Sequence, residues 1–174
     1  LLFTQLHGWS NIIRFLNLLM AISYAIAPIS LLTLRQQLPQ QKRPFRLRFA
    51  SFWANLAFII CNLMIYFTGW VIISKLCVAL LVGLAILFSY RLLSERGKHI
   101  NFEWRASLWL WPYFIGLSLI SYLGQFGQGR QIIPFGWDCI VICIFSYVIM
   151  KIAVYYRLDD KKAQAYIQEL NIAN

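Results

Sequence analysis

Uncharged apolar runs separated by short basic gaps set the pattern of this chain. From Phe15 to Leu34 there are twenty residues without a charge, the length a helix needs to cross a hydrocarbon core of about 30 Å. From Phe49 to Tyr90 there are 42 residues with Lys75 as the one charge, enough for two spans. Thr68-Gly69-Trp70 marks the break between them, because glycine loosens a helix and tryptophan prefers the interface. Ala106 to Gly129 is uncharged for 24 residues and ends in a glycine-rich tail. Cys139 to Tyr156 is interrupted by Lys151 alone, which can snorkel from a last turn. The pattern predicts five transmembrane helices, at about 15–34, 49–68, 71–90, 107–123 and 139–156. The fold class is thus all-α, a polytopic integral membrane protein.

Charge placement gives that topology a direction. The gap after span one holds Arg35, Lys42, Arg43, Arg46 and Arg48. The gap after span three holds Arg91, Arg96, Lys98 and Arg105, and the tail holds Arg157, Lys161 and Lys162. These all fall on one side of a five-span alternation, leaving Arg14, Lys75 and Arg130 for the other. Cytoplasmic loops carry the excess of Lys and Arg, so the reading is an external N-terminus and a cytoplasmic C-terminus. Trp9, Trp70, Trp104, Trp109 and Trp137 near predicted ends suit interfacial belts.

Composition excludes several classes. Of 174 residues 60% are apolar and 13% charged, with a mean hydropathy of +0.64, unlike a soluble or a disordered domain. The net charge of +10 does not signal nucleic acid, since the cations sit in gaps between spans rather than on a solvated face. Lipid is the expected surroundings. The four cysteines do not form a secreted disulfide framework, and Cys139 and Cys143, one turn apart, lack companions for a metal site. No metal and no cofactor is expected. Beyond Arg157, Asp159-Asp160 and the spacing of Ala163, Tyr166, Ile167 and Leu170 predict an amphipathic cytoplasmic tail over 158–174 after a membrane domain over 1–157. The start at Leu1 is expected to reflect either trimmed ends or a piece of a longer polypeptide.

Polar residues within spans are the candidates for function. Span one carries Asn17, Ser23, Tyr24, Ser30 and Thr33, with Pro28 freeing a carbonyl. The same helix has small residues at four-residue spacing, Ala21/Ala25 and Ser23/Ala27, suited to close packing, as are Ala79 and Gly83 on span three. Asn55 and Asn62 share a face of span two and suggest interhelical hydrogen bonds. Pro112 and Gly116 suggest a kink in span four. Asp138 reads as an interfacial N-cap of span five, paired with Arg130; inside the bundle it would instead suit a proton carrier. No nucleophile–base pair or carboxylate pair is present, so no catalytic residue is assigned and the chain is not read as an enzyme.

Two stretches resemble a known family. Tyr24 to Arg48 reads YAIAPISLLTLRQQLPQQKRPFRLR, and a helix ending in APISLLTLR before a basic loop with RPFR resembles bacterial permeases of the amino acid–polyamine–organocation superfamily. Trp111 to Asp138, WPYFIGLSLISYLGQFGQGRQIIPFGWD, is similar to the C-terminal extension of the branch containing aspartate–proton symporters. The resemblance implies the C-terminal part of a five-plus-five inverted-repeat transporter with peripheral helices. Span one would correspond to the tenth, so that nine spans precede it. Such permeases bind substrate at midplane on unwound first and sixth helices, which places the main substrate site outside this chain. Asn17, Ser23 and Tyr24 then become candidates for the solute pathway. The implied partners are an amino acid substrate, a coupling cation or proton, and a second copy through peripheral helices. A membrane scaffold or accessory subunit without transport activity is the alternative.

Overall fold

The computed structural model describes residues 2–38, 47–93, 107–134 and 136–157, with side chains from residue 9 onward. They form α1 (Leu2–Gln37), α2 (Ala50–Thr68), α3 (Trp70–Leu93), α4 (Leu110–Leu123) and α5 (Trp137–Tyr155), with no strand among the described residues. Among the described residues four helices are long and apolar enough to cross a membrane: the stretch Trp9–Gln37 of α1, then α2, α3 and α5. The expected tail over 158–174 and most of the basic loop after α1 lie outside the described residues.

The expected break between spans two and three lies at Gly69. A single residue separates α2 from α3, with φ +94°, a conformation that suits a residue without Cβ. A Cβ at Gly69 would also stand 2.9 Å from Gly127 Cα, so the tip of the α2–α3 hairpin and the loop after α4 touch backbone to backbone.

Span four differs from the expectation. The helix begins at Leu110 and has 14 residues, about 21 Å at 1.5 Å per residue, well short of the roughly 30 Å core. Pro112 is the reason it starts there. It occupies the first turn, where its missing N–H would have no intrahelical partner, so it begins the helix instead of kinking it. Gly116 serves packing, since a Cβ there would run into the Phe145 ring of α5.

The core is a seam of small and branched residues. Leu18, Ala21, Ala25, Ile29 and Leu32 of α1 join Ala54, Phe58 and Ile65 of α2 in one apolar cluster, and α1 packs along α2 more extensively than any other pair. The Ala21/Ala25 row is therefore the packing face of α1, whereas Ser23 and Ala27 are exposed. Ala79 and Gly83 on α3 are exposed too, and nothing lies within 4 Å of a Cβ at Gly83. The expected packing face on α3 is thus absent among the described residues. Ile72, Ile73 and Leu76 near its start are what α3 buries, and every residue from 81 to 90 faces outward.

Candidate functional site

The polar groups of α2, α4 and α5 stand four or eight residues apart on the faces that meet. α2 contributes Asn62 and Tyr66, α4 contributes Tyr113 and Ser121 on either side of Leu117, and α5 contributes Asp138 and Ser146 on either side of Ile142; all are buried. Residues four apart lie on one face of a helix, so each helix presents an alternation of polar and apolar groups to its neighbours.

Two hydrogen-bonded sets result. Near the middle of α2, Tyr113 Oη donates to Asn62 Oδ1 at 2.8 Å, and Asn62 Nδ2 donates to Ser146 Oγ at 2.9 Å. One amide thereby ties three helices together, and the Tyr113 ring stacks on Phe145 with 9° between planes. One turn further along α2, Tyr66 Oη donates to Asp138 Oδ2 at 2.5 Å, and the Gln125 backbone N–H approaches the same oxygen at 3.4 Å. The pairings fix directions: α4 runs parallel to α2, and α5 runs against both.

Asp138 departs from the sequence expectation. It is 1% exposed, not interfacial. The N-cap of α5 is Gly136, with no side-chain cap, and Asp138 stands in the first turn behind it. Arg130 does not pair with it; that guanidinium lies over the Tyr122 ring, 5.2 Å from its centroid. The carboxyl is held instead by a phenol, a backbone N–H and the positive end of α5. Among the described residues its second oxygen, Oδ1, has no partner, and neither does Ser121 Oγ. An acid buried inside a helix bundle marks a candidate functional residue. No group of three His, Cys, Asp or Glu able to hold a metal occurs among the described residues.

Glycine lets the loop close over this acid. A Cβ at Gly124 would collide with the Tyr66 hydroxyl, and one at Gly127 with the Gly69 backbone. Phe126 folds back onto Tyr66 and Phe67, with centroids 6.3 and 5.4 Å away. The Arg130 N–H donates to Tyr122 O at 2.7 Å and the Ile132 N–H to Leu123 O at 3.0 Å, which satisfies carbonyls at the end of α4.

The residues expected on a solute pathway stand elsewhere. Asn17, Ser23 and Tyr24 are all exposed on α1, Tyr24 by 67%. Ser23 Oγ is turned onto Leu19 O, and the carbonyl that Pro28 leaves without its i→i−4 donor is that of Tyr24. Of the two asparagines on α2, Asn62 makes the expected interhelical bonds, whereas Asn55 donates within its own helix to Ser51 O. Tyr66, Tyr113, Ser121, Gln125 and Ser146 were not among the expected site residues. The available signal was the spacing of four or eight residues in Asn62–Tyr66, Tyr113–Ser121 and Asp138–Ser146.

Two proteins of Bacillus subtilis (strain 168) are similar to this chain. The glutamate/serine transporter AimA is 32% identical over 143 residues, 81% of this chain and 26% of its own length. The aspartate-proton symporter is 30% identical over 150 residues, 86% of this chain and 28% of its own length. The chain therefore spans little more than a quarter of the length of the curated relatives it matches. No protein-family model matches it, and no solved structure does.

Proposed function

We propose that this chain, homologous over most of its length to amino acid transporters, is a helical segment from the C-terminal part of a secondary amino-acid permease driven by a cation or proton gradient. The homology carries the reading. The transporting site is placed outside the segment, on helices that precede α1, and α1 is the one element assigned to the transporting core. The outward exposure of Asn17, Ser23 and Tyr24 supports a role against such preceding helices, along the solute pathway. α2 to α5 form a peripheral unit over residues up to 157, available for pairing with a second copy. With five crossings, the N-terminal end of α1 is external and the basic gaps are cytoplasmic in a bacterial inner membrane. The antiparallel course of α4 against α3 and α5 favours counting the short α4 as a crossing. Asp138 lies at the external end of this arrangement, and it is the acidic side chain among the described residues able to exchange a proton there.

A chimera tests the proposal. The segment of the aspartate-proton symporter that matches this chain is replaced by it, and proton-driven uptake of labelled aspartate is measured in membrane vesicles. Retained uptake supports the reading. A chimera that inserts and is stable yet transports nothing favours a scaffold role instead. The 174-residue chain alone in liposomes is expected to show no saturable uptake of glutamate, serine or aspartate.

A further inference from the structure

At the opposite end of the bundle from Asp138 lies a cavity of about 410 Å³, walled by Arg35 and Leu32 of α1, Ser51 and Asn55 of α2, and Met150 and Lys151 of α5. Its electrostatics run one way. Arg35 and Lys151 bring two cations, and none of the described lining residues is an acid. The start of α2 opens into the same space with no side-chain cap and no acidic residue in its first turn, so its unpaired N–H groups add the positive end of a helix. Asp138 cannot neutralise any of this. It stands thirteen residues from Lys151 on α5, about 20 Å along the axis.

Two buried polar atoms here lack partners. Arg35 donates through Nη1 to Leu47 O at 3.3 Å, but its Nε has no acceptor. Asn55 donates to Ser51 O, but its Oδ1 accepts nothing. Among the described residues the cavity thus offers a donor with no acceptor, a cation pair with no anion, and one carbonyl oxygen with no donor. A phosphate beside a hydroxyl answers all three needs.

We infer that this cavity binds the headgroup of an anionic phospholipid, with the phosphate between Arg35, Lys151 and the first turn of α2, and a glycerol hydroxyl donating to Asn55 Oδ1. Position favours a lipid over a free anion. The cavity lies where α1 and α5 end and α2 begins, which is headgroup level for helices of this length. Leu32, Met150 and Val154 form its apolar wall, and Phe49 beside it is 72% exposed, a surface along which an acyl chain can lie. The inference requires the chain to lie in a bilayer and does not depend on transport.

The test uses the 174-residue chain purified in detergent. Phosphatidylglycerol or phosphatidylcholine is added, and retained lipid is counted by native mass spectrometry beside the thermal midpoint. Phosphatidylglycerol is expected to be retained and to raise the midpoint, and phosphatidylcholine to do neither. The double variant Arg35→Gln/Lys151→Gln is expected to bind phosphatidylglycerol at least about tenfold more weakly, since each cation near a headgroup is worth several-fold. Asn55→Asp, which removes no cation but places a charge at the hydroxyl position, is expected to weaken binding too. Arg130→Gln, at the other end, is expected to bind as the parent does. Helical content by circular dichroism confirms that each variant is folded, and Asn55→Asp decides the matter if the double variant is not. Equal retention of the two lipids, or unchanged binding in Asn55→Asp, overturns the inference. Equal stabilisation by inorganic phosphate without lipid also overturns it and assigns the cavity to a free anion.

Discussion

The two ends of α5 treat charge in opposite ways. Near its start, an acidic side chain is buried without a cation beside it among the described residues. Asp138 is enclosed, and a tyrosine hydroxyl, one backbone N–H and a helix terminus hold it. Near its other end, cations face a cavity without an anion, and Lys151 keeps its ammonium 5.4 Å from the Tyr147 ring centroid. A buried charge without a partner of opposite sign costs several kcal/mol, so the first end is closed around hydrogen bonds. The second is left open, where headgroups and water can reach the charges. The difference teaches that one helix bundle can hold two unpaired charge systems if one is sealed and the other is wet.

The seal is the easiest part to break. Gly127→Val places a branched side chain at φ +72°, directly against the Gly69 backbone. Neither chain can yield, and a loss of about 3 kcal/mol is expected, measured by unfolding in mixed micelles of increasing dodecyl sulfate. A loss below about 1 kcal/mol would show that the loop does not depend on this contact.

Tyr66→Phe removes the strongest donor from Asp138. About 2 kcal/mol is expected to be lost, because a buried acceptor is left without its main donor. Combining it with Asp138→Asn in a double-mutant cycle sharpens the point. Coupling near zero would mean that the pair contributes nothing.

Asn62→Leu tests the neutral part of the network. It strands the hydroxyls of Tyr113 and Ser146, yet interhelical hydrogen bonds within a membrane average only about 0.6 kcal/mol. A loss of about 1 kcal/mol is expected, smaller than for Tyr66→Phe in the same assay. The reverse order would move the weight of the bundle from the acid to the amide.

The smallest effect has the opposite sign. Ser51→Asp supplies an acid to the uncapped first turn of α2, beside Arg35 and Lys151, and is expected to add about 0.5 kcal/mol in lipid-free detergent. Gln125→Glu, the same charge added beside Asp138, is expected to destabilise. Equal signs for the two changes would erase the contrast between the ends.

Much of the frame was legible in the residues. The Gly69 break, the start and end of α2 to within a residue, and the Ala21/Ala25 face follow from hydropathy, glycine and small-residue spacing, all local signals. The site was not legible, because its defining contacts are distant in sequence. Asp138 beside Trp137 and after Pro134 has the local look of an interface, and its burial depends on Tyr66, 72 positions earlier. Ala79/Gly83 has the same four-residue signature as Ala21/Ala25, and what separates them is whether a neighbour stands opposite. The late start of α4 was hidden because Ala106 to Gly129 is uncharged throughout. Only the first-turn role of Pro112 marks where the helix begins.

The one-residue link at Gly69 also bears on how the molecule is made. A connector this short cannot wait as a hydrated loop while α2 occupies the bilayer and α3 is still outside it. The two helices are therefore expected to enter the membrane as a hairpin during biosynthesis and, in the orientation proposed above, with Gly69 leading. The charge nearest the tip is Lys75, exposed on α3, so a single ammonium has to be carried through, and its flexible stem lets it reach the headgroups on arrival. Of the connections described, this is the one at which the order of insertion is written into the backbone.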